Sequence, residues 1–254
     1  MKKLHGQTIL ITRDSNQAGD FKNQLIDLGA NVTCIPTIKL VDPDNWDQFD
    51  KKAHQLSTID WIVFSSINAV HQTDIRLKNL SININDYPDV QIAAVGEQTA
   101  ETIRQKGWQV TLVPDKYQAE DLGAALLKQL KPNQTIWMPR ALVTRDVLTP
   151  VFEKAGVNVS VSTVYQNIAP LENRSVLLDT LVKKQLSWIT FTSSSTVSNL
   201  FKILAEDAQQ VKWPKIASIG SITSKTIKKY QLTPTFTAVP QNIDGLIQGI
   251  LQNS

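Results

Sequence analysis

The sequence predicts a doubly wound α/β protein made by internal duplication, and three observations carry that expectation. Short apolar, β-rich runs alternate with helical patterns along the chain. The runs are apolar throughout rather than every second residue, as central strands covered on both faces require. Finally, four stretches of the first half return in the same order in the second half at a nearly constant offset. Alternating strand and helix with buried strands points to a parallel sheet flanked by helices.

The duplication is legible residue by residue. TILITR at Thr8–Arg13 reappears as TIWMPR at Thr135–Arg140, and GANV from Gly29 reappears as GVNV from Gly156, both displaced by 127 residues. DWIVFSSINAV from Asp60 returns as SWITFTSSSTV from Ser187 at the same displacement of 127, so that Trp61, Phe64, Ser66 and Val70 align with Trp188, Phe191, Ser193 and Val197. IAAVGEQTAETI from Ile92 returns as IASIGSITSKTI from Ile216, displaced by 124. Generic strand-turn-helix patterning would not hold one register through four segments.

Each unit opens with an apolar run, passes a turn rich in Ser, Thr, Asn or Gly, and enters a helical pattern. Strands are expected at Ile9–Thr12, Trp61–Phe64, Ile92–Val95, Ile136–Met138, Trp188–Phe191 and Ile216–Ile219. Helices are expected at Ala18–Leu28, Thr99–Lys106, Ala119–Leu130 and Thr223–Tyr230.

Composition narrows the class. A chain of 254 residues allows one large domain or two smaller ones. With 42% hydrophobic and 19% charged residues it reads as globular rather than disordered, fibrous or membrane-embedded. The net charge of +3 is spread along the chain, with no concentrated basic face for nucleic acid. Cys34 is the only cysteine, which rules out an intrachain disulfide and a multi-cysteine metal site. His5, His54 and His71 lack metal-ligand spacing, so no metal is expected. MKKLHGQTILITR carries no apolar stretch long enough for export, and no later run approaches the ~20 apolar residues of a membrane span, so a cytoplasmic protein without membrane contact is expected.

In doubly wound sheets ligands lie beyond the carboxyl ends of the strands, where these polar turns fall. The candidate residues are Thr12 and Arg13, Ser65, Ser66 and Asn68, Thr99, Arg140, Thr192, Ser193 and Ser195, and Thr223. Helix N-termini offer unpaired N–H groups and partial positive charge, and the hydroxyls can donate as well, so the set suits a small polyanion. Each hydroxyl has a second reading as a helix N-cap, and Arg13 and Arg140 can equally pair with a nearby acid. There is no GxGxxG, Walker loop, HExxH or GxSxG, and Ser193–Ser195 has no identifiable histidine and acid partner. From the residues alone, a two-domain small-anion binder or sensor and an enzyme acting on such an anion both remain open.

The ordered segments ILITR, VFSSINAV, IAAVGEQTA, PRALVTRDVL, STVYQN, ITFTSSSTV, IASIGSITS and the closing NIDGLIQGI resemble the uroporphyrinogen-III synthase family over nearly the whole chain. SSINAV, PRA and GSITS depart from the family's TS-x-NGV, PRG and GPTTA. The resemblance implies two similar α/β domains joined by a two-stranded β linker. The first would be discontinuous, 1–37 with 168–254, and the second 42–163, with linkers at 38–41 and 164–167. It implies a cyclising lyase of haem biosynthesis, which takes hydroxymethylbilane to uroporphyrinogen III without cofactor; a monomer is expected. It also implies that Tyr165 donates a proton, and that Thr99 and Thr223 contact substrate carboxylates.

Overall fold

The computed structural model describes residues 3–13, 18–115, 119–131, 133–183 and 185–254. In chain order the first half runs β1 (Thr8–Ile11), α1 (Gly19–Asp27), β2 (Asn31–Cys34), β3 (Lys39–Val41), α2 (Asp47–Ala53), β4 (Trp61–Phe64), α3 (Ile67–Asn79), β5 (Gln91–Ala94), α4 (Glu97–Gln105) and α5 (Ala119–Leu127). The second half runs β6 (Thr135–Ala141), α6 (Leu148–Lys154), β7 (Asn158–Ile168), α7 (Arg174–Lys183), β8 (Trp188–Phe191), α8 (Ser194–Leu204), β9 (Lys215–Ser218), α9 (Ser221–Lys229), β10 (Phe236–Thr237) and α10 (Ile243–Gln252).

Expected and observed elements agree to within a few residues, and the differences have local causes. Strands β4 and β8 fall where the apolar runs place them. Helices α4 and α9 begin two residues before Thr99 and Thr223, because Gly96 and Gly220 adopt extended backbone and serve as their N-caps. Strand β1 ends at Ile11, one residue short of the expected Thr12.

The chain divides into two compact units, Met1–Lys39 with Ile168–Ser254, and Leu40–Asn167. The first unit holds a sheet of order β10-β9-β8-β1-β2, and the second a sheet of order β3-β7-β6-β4-β5. The ladders β2-β1-β8-β9-β10 and β5-β4-β6-β7 are parallel. The repeat equates β1 with β6, β2 with β7, β4 with β8 and β5 with β9. Each unit therefore combines strands from both halves of the sequence, and the order β9-β8-β1-β2 matches β5-β4-β6-β7. Both have their topological switch point between a pair of strands drawn from different halves, β8 and β1 in one, β4 and β6 in the other.

Alternation along each strand sends its side chains to two cores, one per sheet face. In the first unit Leu10, Ile189, Phe191 and Ile216 pack with Leu177, Val197 and Leu200. Ile9, Ile11, Trp188 and Ala217 pack on the other face with Phe21, Leu25, Leu246 and Ile250. The second unit repeats the scheme: Ile62, Phe64, Ile92 and Trp137 meet Val70, Leu77 and Ile103, while Trp61, Val63, Ile136 and Met138 meet Leu122, Leu126 and Phe152. Burial on both faces is why these runs carry no polar residue at every second position.

Candidate functional site

At the switch point of the first unit, threonines stitch the strands together beyond the ladder. The fully buried Thr12 donates its hydroxyl to the Thr190 carbonyl at 2.8 Å, and Thr190 donates to the Leu10 carbonyl at 3.3 Å. Thr37 Oγ1 lies within hydrogen-bond distance of the carbonyls of Thr12, at 3.2 Å, and Thr196, at 3.0 Å. Thr12 thus has a structural bond of its own. Beside it, Ser193 caps α8 by accepting from the Thr196 N–H at 3.2 Å, Thr192 is half-buried and Ser195 is exposed.

In the second unit Ser66 caps α3 in the same way, accepting from the Ala69 N–H at 3.2 Å. Its oxygen also lies 3.2 Å from the hydroxyl of Tyr165, on β7. Asn68 sits in the first turn of α3, half-buried. Ser65, Arg140, Met138, Val63 and residues 144–148 line a cavity of about 220 Å³ at the ends of β4 and β6. Arg140 pairs with Asp146 at 2.9 Å, and Asp146 accepts from the Thr149 N–H at 3.1 Å in the first turn of α6. The hydrogen bond from Arg140 holds the Asp146 carboxyl below its ordinary range. Burial opposes this, and the Thr149 N–H reinforces it.

The first unit has a cavity of about 360 Å³ at the corresponding place, lined by Arg13, Gly19, Phe21, Gln24, Ile243 and Asp244. Arg13 is the repeat partner of Arg140, α1 of α6, and the start of α10 at Ile243 of the start of α5 at Ala119. Both arginines foreseen from the sequence therefore line equivalent cavities. The structure thus groups Ser65 with Arg140, and Ser66 with Tyr165.

Four of the strand-end helices, α3, α4, α8 and α9, fall into two kinds. Helices α3 and α8 close their first turns with their own serines. Helices α4 and α9 start at glycines that provide no side-chain cap. In their first turns Thr99 and Thr223 are 5% and 4% exposed, and neither hydroxyl has a hydrogen bond among the described residues. First-turn N–H groups that the cap residue leaves unsatisfied, with an unused hydroxyl beside them, are what an anion needs. At α9 the Gln241 side-chain oxygen takes the Ser221 N–H at 3.3 Å, and its approach needs the missing Cβ of Gly220, where a Cβ would lie 2.5 Å from that oxygen. Sequence reasoning did not single out Gln241 or Asp146. Asp146 lies six positions after Arg140 and was findable as an acid near an arginine, whereas nothing local marks Gln241.

Among the described residues no group of three or more His, Cys, Asp or Glu is placed to hold a metal ion, and no helix is long and apolar enough to cross a membrane. The fold and its turns define a class: a two-unit α/β protein, doubly wound in each unit, with donor-rich turns at the carboxyl ends of its strands. The model of the family described as uroporphyrinogen-III synthase HemD matches residues 19–248, nine-tenths of the chain. A uroporphyrinogen-III synthase from Synechococcus elongatus is 30% identical over 255 aligned positions, covering 98% of this chain and 96% of that protein. Among solved structures, that of the Helicobacter pylori uroporphyrinogen-III synthetase has a TM-score of 0.65 at 16% identity, covering 98% of this chain and 100% of that one. A mutant uroporphyrinogen III synthase from Thermus thermophilus has a TM-score of 0.64 at 15% identity, with the same coverages of 98% and 100%; both share the fold. The chain belongs to the uroporphyrinogen-III synthase family.

Proposed function

We propose that this chain is a lyase that closes hydroxymethylbilane to uroporphyrinogen III, releasing water and inverting the last pyrrole ring, a step of haem biosynthesis. The observation that carries the reading is the family match over residues 19–248, joined to strand-end turns that offer donors to carboxylates. The substrate carries a carboxylate on each of its side chains, and the glycine-started first turns of α4 and α9, with the hydroxyls of Thr99 and Thr223, suit such groups. Arg13 and Arg140, Ser65, Asn68, Thr192, Ser193 and Ser195 supply further polar contacts around them, while Thr12 acts through the backbone it holds.

The reaction neither oxidises nor reduces its substrate, and the pyrrole nitrogens supply the electron push, so the proposed chemistry calls for no organic cofactor or metal. The protein's task is to favour one cyclisation geometry over the uninverted closure, which is selective stabilisation of one transition state by positioning. Tyr165 is the proton donor to the departing hydroxyl: its phenol O–H can donate as the C–O bond breaks. A monomer in the cytoplasm, without nucleic-acid or membrane partners, completes the reading; the dispersed basic residues support it.

The test is direct. Purified protein is added to freshly made hydroxymethylbilane without metal or nucleotide, the product is oxidised, and the uroporphyrin isomers are separated. The type III isomer is expected to dominate. Type I alone from folded protein would overturn the synthase reading in favour of a non-enzymatic anion binder, and light scattering on the same sample checks the monomer.

A further inference from the structure

We propose that Ser66 is a positioning residue for Tyr165, holding the phenol in place and donating a hydrogen bond back to its oxygen once that oxygen has given up its proton. This rests on the reading of Tyr165 as proton donor. The first support is the hydrogen-bond arithmetic at Ser66. A serine hydroxyl has one proton and two lone pairs. One lone pair takes the Ala69 N–H at 3.2 Å, and the Tyr165 oxygen lies 3.2 Å from the same serine oxygen. Either oxygen can donate in that second bond. When Ser66 donates, the phenol proton is available to a ligand. After that proton leaves, the phenol oxygen only accepts, and Ser66 satisfies it without moving. The positive end of α3 lies behind Ser66 and favours the charge that appears.

The second support is how β7 delivers the phenol. The β6–β7 ladder runs in register as far as Arg140 opposite Thr163, and then Ala141 pairs with Tyr165. Val164 is the extra residue of a bulge. Regular alternation would turn Val164 and Tyr165 to opposite faces, yet both are buried, at 0% and 6% exposure, and both pack in one core with Phe64 and Val70. Bulges of this kind re-aim a side chain, and here the side chain brought round reaches the cap of α3.

The third support is a broken symmetry. Ser66 has its repeat counterpart in Ser193, which caps α8 through the Thr196 N–H at the same 3.2 Å. Tyr165 has its counterpart, 127 positions earlier, in Ile38. Capping accounts for both serines, but only Ser66 has a phenol beside it. The proton chemistry is thereby assigned to the unit spanning Leu40–Asn167.

The step balances. The C–O bond of the terminal hydroxymethyl group breaks with its electron pair on oxygen, the Tyr165 proton joins that oxygen, and water leaves. The pyrrole nitrogen lone pair fills the carbon. After ring closure the re-aromatising pyrrole carbon sheds a proton, which returns to the phenol oxygen, and Ser66 bridges the interval.

The test compares kcat and KM for type III formation in the wild-type protein, S66G, S66T, Y165F and S66G/Y165F, with S193G and S193G/Y165F alongside. Glycine is nearly as good an N-cap as serine, so S66G removes the hydroxyl and keeps the helix start; melting curves verify the fold. S66G is expected to lower kcat about tenfold with little change in KM, the scale of one hydrogen bond to a charged oxygen. S66T is expected to restore most of the loss. In the Y165F background S66G should have no further effect, whereas S193G should act equally in both backgrounds. An S66G loss of the same size in the Y165F background as in the wild type would mean that the two residues act independently, and that result overturns the proposal. A raised KM at unchanged kcat also overturns it, making Ser66 a substrate contact. Unchanged kcat in Y165F removes both the donor role and this inference, while type III formation itself still stands.

Discussion

Replacing Asp74 with asparagine isolates the charge that ties α3 to α4 in the second unit. Asp74 is buried on α3 and receives two ammonium groups, Lys106 at 2.9 Å from the end of α4 and Lys78 at 3.0 Å one turn along its own helix. Lys78 is largely exposed, so its pair contributes a few tenths of a kcal/mol. Lys106 is different, with a side chain only 23% exposed. A hydrogen bond between charged groups exceeds a neutral one by about 1 kcal/mol, and the asparagine is cheaper to bury than the carboxylate, which returns part of the loss. Together these give a destabilisation of about 1–2 kcal/mol, or about 3–6 °C in Tm for a chain of this size. The assay is a urea and thermal unfolding series on D74N, K106M and the double variant at pH 7, with a coupling of about 1 kcal/mol expected between the two sites. Strict additivity, or a D74N protein as stable as the wild type, would refute the reasoning. The pH dependence supplies an independent sign. Burial pushes the Asp74 carboxyl up, but the hydrogen bonds and charges of Lys106 and Lys78 outweigh it and hold the group below its ordinary 3.8. Its stabilisation is therefore complete above that value and is lost as pH falls through the folded-state value. His71 is held below its ordinary 6.5 by burial and by the Lys106 charge, against the pull of Asp74. The unfolded chain takes up that proton first, so stability also declines as pH drops below 6.5, and D74N should keep this limb while losing the more acidic one.

Two further substitutions test the packing and the cap. Gly245→Ala would add about 1 kcal/mol of helix propensity to α10, but a Cβ there would overlap the Pro240 carbonyl oxygen, so a net loss of about 1–3 kcal/mol is expected by urea titration, and a stabilised variant would contradict the close approach. Asp146→Ala removes the acceptor for the Thr149 N–H and the partner of Arg140 and should cost about 1 kcal/mol at neutral pH. Because the Asp146 carboxyl is held down in the fold, that difference should shrink as pH falls below the ordinary carboxylate range, and a difference that persists in acid would contradict the assignment.

The duplication, the strands and the turns were legible because they rest on local chemistry. WIVF at Trp61–Phe64 and WITF at Trp188–Phe191 are apolar at nearly every position, which only a strand covered on both faces tolerates, and they are β4 and β8. Hydroxyls and glycines at the strand ends announced helix starts for the same reason, since the orphan N–H groups of a first turn need an acceptor or room. Local pattern does not say which hydroxyl is engaged. Thr12 and Thr99 look alike in sequence, yet Thr12 donates to Thr190 across the sheet while Thr99 has no partner among the described residues, a distinction set by residues 178 positions away in one case. The exchange of strands between the two halves is likewise invisible to a repeat, because a parallel sheet pairs any two strands of matching length and burial, and a displacement of 127 is satisfied by either pairing. The bulge that turns both Val164 and Tyr165 inward depends on the ladder to β6, so STVYQN alone reads as ordinary alternation. Local sequence specifies what each segment can be, because propensity, burial and capping act over a few residues. Which segments meet, and hence that Ser66 faces a phenol while Ser193 does not, is decided by long-range pairing, whose energy no single segment contains.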